Sequence, residues 1–420
     1  MTEMPSLRRL GRPRFIKGSV IVLIFLAPFL IHAIWSYVET RRLNYALQSL
    51  EARGETVRTQ SVVPVGDAAT AARYYRAAAA LASDFRADPR GWAGELTAAE
   101  RTGNWPDGLM AKIRNVIAPY EDMLSLVDRA AELPFDDFGP GTTYNYLAAG
   151  LIDAIRISSL RAVVSAFDGD AGGAARSLYS AVRAGRWFDG RSFVPYSLWF
   201  TSAVELTMGR VRPGDVELER LARALEEADD DNVLRQVFLG MRAGMLSQGP
   251  ADPWFIGSRV APVFVVDRPW RTHQVNRQLA WYADVLNAVD APWPDRIDAV
   301  GRVDYFNLDG PFTRERMLKY VEVMVTPLAI LRSLRTAVAI ERYRRGHSEE
   351  LPASLSDLSP LYLQAIPIDP FTGQPLLYAR SPDGYVVYSA GVNRRNDDGD
   401  VSAQWAGGSD LGVAVRHVGR

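Results

Sequence analysis

Residues Val20–Val38, reading VIVLIFLAPFLIHAIWSYV, limit this chain more than any other stretch; His32 is their one titratable side chain apart from the tyrosine. Coiled into an α-helix, the run extends roughly 28 Å, close to the hydrocarbon thickness of a bilayer. Trp35 and Tyr37 stand at its far end, where rings with an apolar body and a polar tip favour the membrane–water interface. Pro28 in mid-span is tolerable in lipid. Arg8, Arg9, Arg12, Arg14 and Lys17 precede the run, opposed only by Glu3, and Glu39, Arg41 and Arg42 follow it. This bias predicts a single-pass anchor over 18–38, a cytoplasmic basic segment over 1–17, and the rest of the chain outside, in a bacterial periplasm. A cleaved signal peptide is the competing reading. Against it, the apolar run is long and Ile31-His32-Ala33 is a poor cleavage site. No second stretch approaches 18 uninterrupted apolar residues, so one span is expected.

The remaining sequence excludes whole classes of chemistry. The 420 residues contain no cysteine, which removes disulfides, thiol nucleophiles, Fe–S clusters and Cys-ligated zinc. A formal net charge of −1 gives no global attraction to nucleic acid, and no nucleic-acid partner is expected. The four histidines, His32, His273, His347 and His417, have no metal-ligand spacing. Walker A, GxSxG and strand–helix GxGxxG motifs are missing too.

Apolar residues recur with helical period from about residue 68 to 346. Helices are expected over Ala68–Ser83 behind an Asp67 cap, Met110–Ala131 with a kink at Pro119, Tyr144–Phe167, Ala171–Phe188, Pro195–Met208, Asp215–Ala228 with Asp215 as cap, Asn232–Leu246 and Arg271–Asn287. Gly91–Pro106 reads as a loop holding a short helix, and Val263–Val266 as a brief strand. Asp168-Gly169-Asp170 turns the chain between two facing helices. A last long helix carries Met317, Tyr320, Met324, Leu328, Leu331 and Val338, is bent at Pro327, and stops at Gly346. The expected class is mainly α: one transmembrane helix, an irregular helical outer domain over 39–335, and a small β-hairpin module over 336–420.

That C-terminal module has the most specific sequence. Tyr343 ends a helix, Leu351-Pro352 begins a short segment with Ser354 as a helix cap, and Asp369-Pro370-Phe371 makes a turn followed by Gly373 and Pro375. Two apolar-aromatic runs then flank Ser381-Pro382-Asp383-Gly384, a hairpin signal, and end in Tyr388-Ser389 and Gly391. In this order the residues from Thr336 to about Val401 resemble the C-terminal half of the type II secretion major pseudopilin. They also look like the tails of large bacterial envelope proteins with helical middles. The anchor carries no Gly-Phe-Thr-like processing site and no acidic residue at the pseudopilin position, so the resemblance implies a shared module rather than assembly into a filament.

After Gly391 comes NRRNDDGD, Asn393–Asp400. Oxygen-bearing side chains around a glycine turn suit calcium, a hard cation, and the resemblance implies the same, since that family's acidic loop binds calcium. The expected ligands are Asn396, Asp397, Asp398 and Asp400, against the alternative of a solvated acidic turn. Asp229-Asp230-Asp231 and Asp136-Asp137 read as polar links between helices. The expected function is a membrane-anchored, non-enzymatic binding or scaffold protein of the cell envelope, with the bilayer and another envelope protein as partners. One alternative is an envelope hydrolase of glycan or cell wall, using Asp284, Asp290 or Asp295 beside Trp254, Trp270, Trp281 and Trp293. Another is an accessory factor of secretion or pilus assembly.

Overall fold

The structure is a computed structural model that describes residues 15–55, 71–86, 91–102, 104–134, 146–186, 198–248, 268–303, 314–401 and 410–417. The Asp67 cap, Asp136-Asp137, Trp254 and the strand at 263–266 lie outside the described residues. The chain is mostly helical, with a small three-stranded antiparallel sheet near the C-terminus. Two units divide it: residues 1–57 with 248–281, and residues 58–247 with 282–420.

The first unit holds helix α1, Phe15–Ala52, and the start of helix α11, Arg268–Ala288. The side chains of α1 are described from Ile24 onward. Ile24, Phe25, Leu26, Phe29, Leu30, Ile31, Ile34, Trp35, Tyr37 and Val38 are all exposed. They occupy every side of the helix, because consecutive residues are 100° apart. The next residue, Glu39, is buried. Its carboxylate accepts from Asn276 Nδ2 at 2.8 Å and lies 3.1 Å from His273 Nδ1. Burial works to raise the Glu39 carboxyl, but those two partners and the charge of Arg42 outweigh it and hold it below its usual range.

In the second unit the helices follow the periodicity closely. They are α2 Ala71–Leu81, α3 Trp92–Thr102, α4 Leu109–Ile117, α5 Glu121–Ala131, α6 Tyr146–Phe167, α7 Ala171–Gly185, α8 Leu198–Arg210, α9 Asp215–Ala228, α10 Val233–Gln248, α12 Asp295–Arg302 and α13 Arg314–Gly346. Pro119 does break the long stripe: a 3-10 turn over Ala118–Tyr120 separates α4 from α5. Pro327, by contrast, lies inside α13, which continues through it. Gly91–Pro106 is mostly helix α3 rather than loop. Asp215 is the first residue of α9 and not its cap, a place held by Gly214.

The facing helices α6 and α7 meet across Asp168–Asp170, where Gly169 takes φ 79° and the Asp170 side chain caps α7 by accepting from Gly173 N. The α5 helix closes on this pair through polar side chains. Arg161 of α6 grips Asp128 of α5 with two guanidinium bonds of 2.9 and 2.6 Å, and Ser180 of α7 donates to the same carboxylate. Gly150 lets α6 pass close to α2, since a Cβ there would stand 2.0 Å from the Ala79 carbonyl oxygen.

Helix α13 is the centre of the second half. Val321, Val325, Leu328, Ala329, Ile330, Leu331, Leu334, Ala337, Val338 and Ile340 are solvent-free, and α9, α12 and the sheet pack on it. Among the described residues, Glu315–Gly346 is the one helix that passes a length-and-hydropathy test for a membrane span, and 78% of that apolar window is buried inside the protein. An apolar helix so enclosed by its own chain is a core helix. The sequence expectation of a single apolar stretch therefore missed how closely a core helix approaches that composition.

Strands β1 Leu377–Ser381 and β2 Gly384–Ser389 form the expected hairpin, paired Leu377 to Tyr388 through Ser381 to Gly384. A third strand, β3 Leu411–Arg416, pairs with β2 and was not expected. The sheet order is β1-β2-β3. Ser354 and Asp357 form a capping box on a 3-10 turn over Leu355–Leu358. The division expected at residue 336 falls within α13, and residues on both sides of it belong to one unit.

Candidate functional site

Two parts of the C-terminal motif, the Asp369–Thr372 turn and the Ser389–Ala390 strand end, are tied together by one carboxylate. Asp369 is 2% exposed. Its Oδ1 accepts from Phe371 N at 2.9 Å and Ser389 Oγ at 2.7 Å, and its Oδ2 accepts from Thr372 Oγ1 at 3.0 Å and Ala390 N at 3.1 Å. Gly373, at φ 70°, donates from its N–H to the Asp369 carbonyl and closes the turn. The carboxylate thus joins a turn to the end of β2.

The acidic loop follows directly. Asn396 Oδ1 accepts from the Tyr388 hydroxyl at 3.0 Å and from Asp398 N at 2.9 Å. Asp397 Oδ2 accepts from Asn393 Nδ2 at 2.8 Å. Arg394 reaches away to Asp298 through two bonds. Among the described residues no three of His, Asp and Glu converge as a metal site. Of the expected set Asn396, Asp397, Asp398 and Asp400, the Asn396 oxygen and one Asp397 oxygen accept hydrogen bonds within the loop. Sequence reasoning missed Asp410, which lies under this loop. It is buried, and its Oδ2 accepts from Asp397 N and Gly399 N. Burial raises the Asp410 carboxyl, and Asp397 and Asp400 add to the rise against the two amide donors.

The acids and tryptophans of the hydrolase reading have structural partners or belong to different units. Asp290 is held by Arg235 at 2.8 Å, and Trp293 Nε1 donates to Asp231 at 2.9 Å. Asp295 opens α12, while Trp270 and Trp281 sit on the α11 segment of the other unit. Asp229 to Asp231 do link α9 to α10, and they do more. Arg332 of α13, 5% exposed, bonds Asp229 at 3.0 Å and Asp231 at 2.5 Å and donates to the Ile368 carbonyl at 2.7 Å. Arg335 reaches the other Asp229 oxygen at 3.1 Å.

A cavity of about 310 Å³ lies where the end of α8, the start of α9, the end of α13 and the end of β3 meet. Gly209 makes the junction possible, because a Cβ there would stand 2.2 Å from the Arg416 carbonyl oxygen. The wall includes Arg210, Arg212, Glu341, Arg344, Glu349 and His417. Behind it, the Tyr385 hydroxyl stands 2.9 Å from Glu341 Oε1 and 3.1 Å from the Ala337 carbonyl. His417 Nε2 is 3.1 Å from that same Glu341 oxygen and is also in contact with Arg344 Nη1. Bare, Nε2 accepts from the guanidinium; protonated, it donates to the carboxylate. It cannot do both at once. Arg344 also bonds Glu341 Oε2 at 2.5 Å and Glu349 at 2.6 Å.

One turn before Gly209 on α8, Glu205 accepts from Ala414 N at 2.8 Å. That bond covers an otherwise open backbone donor on the edge strand β3. Burial pushes the Glu205 carboxyl up to about 7. A carboxyl with a raised folded-state value favours the fold while protonated. Its contribution is intact below the ordinary value of 4.5 and is lost as pH climbs to about 7. We expect Glu205→Gln to match wild-type stability near pH 4 and to exceed it by about 2 kcal/mol near pH 8. Urea denaturation across that range measures the difference; a pH-independent difference refutes the assignment.

Compared with protein-family models, with curated proteins and with solved structures, the chain has no match.

Proposed function

We propose that this chain is a membrane-anchored cell-envelope protein, held by residues 18–38 with its N-terminus in the cytoplasm, whose outer helical mass is a non-enzymatic binding or scaffold element. The observation that carries the reading is the exposure of the apolar residues of α1 from Ile24 to Val38 around the helix. In water such a surface is costly; each large apolar side chain moved into hydrocarbon contributes roughly 1.5–3 kcal/mol. A helix apolar on all sides calls for an apolar surrounding. The switch at Glu39 to a buried carboxylate bonded by His273 and Asn276 supports placing the membrane boundary at residue 38. The pseudopilin-like module belongs to the same proposal, as a binding element on the outer side.

Cell fractionation tests the anchor. The full chain is expected in the carbonate-resistant membrane fraction, with protease added to spheroplasts removing everything beyond residue 38. A double substitution Leu30→Arg with Ile31→Arg carries a penalty of roughly 5–7 kcal/mol for a centred span and should move much of the protein out of that fraction. Recovery of the wild type in the soluble fraction overturns the proposal.

A further inference from the structure

The cavity between α8, α9, α13 and β3 has a charge imbalance that the fold itself does not use. Four arginines line it, Arg210, Arg212, Arg344 and Arg345, against two carboxylates, Glu341 and Glu349. Both carboxylates are bonded to Arg344. Arg345 is taken by Asp215 and the Pro213 carbonyl. Arg210 has no carboxylate partner among the described residues; its guanidinium lies 3.9 Å from the Phe167 ring centroid, and desolvation lowers its pKa. Arg212 is 68% exposed, and its nearest acid is Glu349 at 3.9 Å, the limit of an ion pair. Two of the lining arginines, Arg210 and Arg212, therefore have no carboxylate at hydrogen-bond distance among the described residues. Arg344 is 3% exposed, and its Nε has no hydrogen-bond partner. A buried donor without an acceptor is a cost that a bound oxygen atom would remove.

We infer that this cavity is a binding site for a small oxyanion, a molecule of phosphate or carboxylate type, gripped by Arg210 and Arg212 against the wall formed by Arg344. Guanidinium forks match the two-oxygen edge of either group. A volume of about 310 Å³ admits a compact metabolite-sized ligand and is at the low end of small-molecule pockets. The inference stands independently of the membrane anchor.

Calorimetry on the full chain in uncharged detergent tests it, with inorganic phosphate and succinate as separate probes at constant ionic strength. At least one probe should bind the wild type and raise its Tm, and the two arms separate phosphate from carboxylate preference. Arg212→Gln, at an exposed position, should weaken that binding about tenfold while leaving the Tm of the unliganded protein unchanged, and Arg210→Gln should weaken it at least as much. Equal affinity in wild type and both variants overturns the inference, as does the absence of heat and stabilisation with either probe at about 10 mM.

Discussion

Asp369→Ala should lower the stability of the second unit by about 3–5 kcal/mol, the largest effect expected of any single substitution in the C-terminal module. The four donors that converge on this carboxylate come from two segments, Phe371–Thr372 and Ser389–Ala390. Alanine leaves all four without their acceptor in a place closed to solvent: Phe371, Ser389 and Ala390 are all buried. Asp369→Asn keeps one acceptor oxygen and adds two donors facing donors, so it should lose at least half as much. Guanidinium denaturation followed by tryptophan fluorescence gives the value. A loss below about 1 kcal/mol would show that the turn and the strand end hold together without the carboxylate.

Arg332→Met should cost about 2–4 kcal/mol. This arginine is enclosed by α13, the α9–α10 link and the Ile368 carbonyl, and its side chain is only 6% exposed, like that of Asp229 at 8%. Methionine nearly conserves the volume but strands a buried carboxylate. Arg335 keeps one bond to Asp229, which is why the expected loss falls short of that for Asp369. The pair Arg332→Met with Asp229→Leu should recover part of the loss, because replacing both ions removes the desolvation problem that replacing one creates. If the double variant is as unstable as the sum of the two singles, the ion pair is not the source of the effect.

Legibility in the sequence followed the range of the interactions. The α5 stripe Leu124, Val127 and Ala131, the turn at Asp168–Asp170 and the cap at Ser354 were readable because each depends on residues within a few positions of one another. The same holds for the β1–β2 hairpin, whose register is set by its short turn. The Asp-Pro-Phe-Thr-Gly motif was visible as a pattern, yet its purpose was not, because Ser389 and Ala390 reach Asp369 across about twenty residues. Strand β3 escaped notice for the same reason: Leu411–Arg416 is a six-residue apolar segment whose partner is β2, far back in the chain.

The apolar run at Val20–Val38 needs no tertiary information, since helix length, lack of charge and flanking arginines are all properties of consecutive residues. The sequence by itself therefore determined the helical character of the chain and the anchor expectation. It could not assign the competing apolar helix α13 to the core, because enclosure depends on which neighbours arrive to cover it. Only the tertiary structure placed Arg210, Arg344 and His417 around one cavity, and Asp410 beneath the acidic loop. Those side chains lie from roughly ten to two hundred residues from their partners, and groups so separated in the chain meet only when packing of the apolar faces between them has fixed the path.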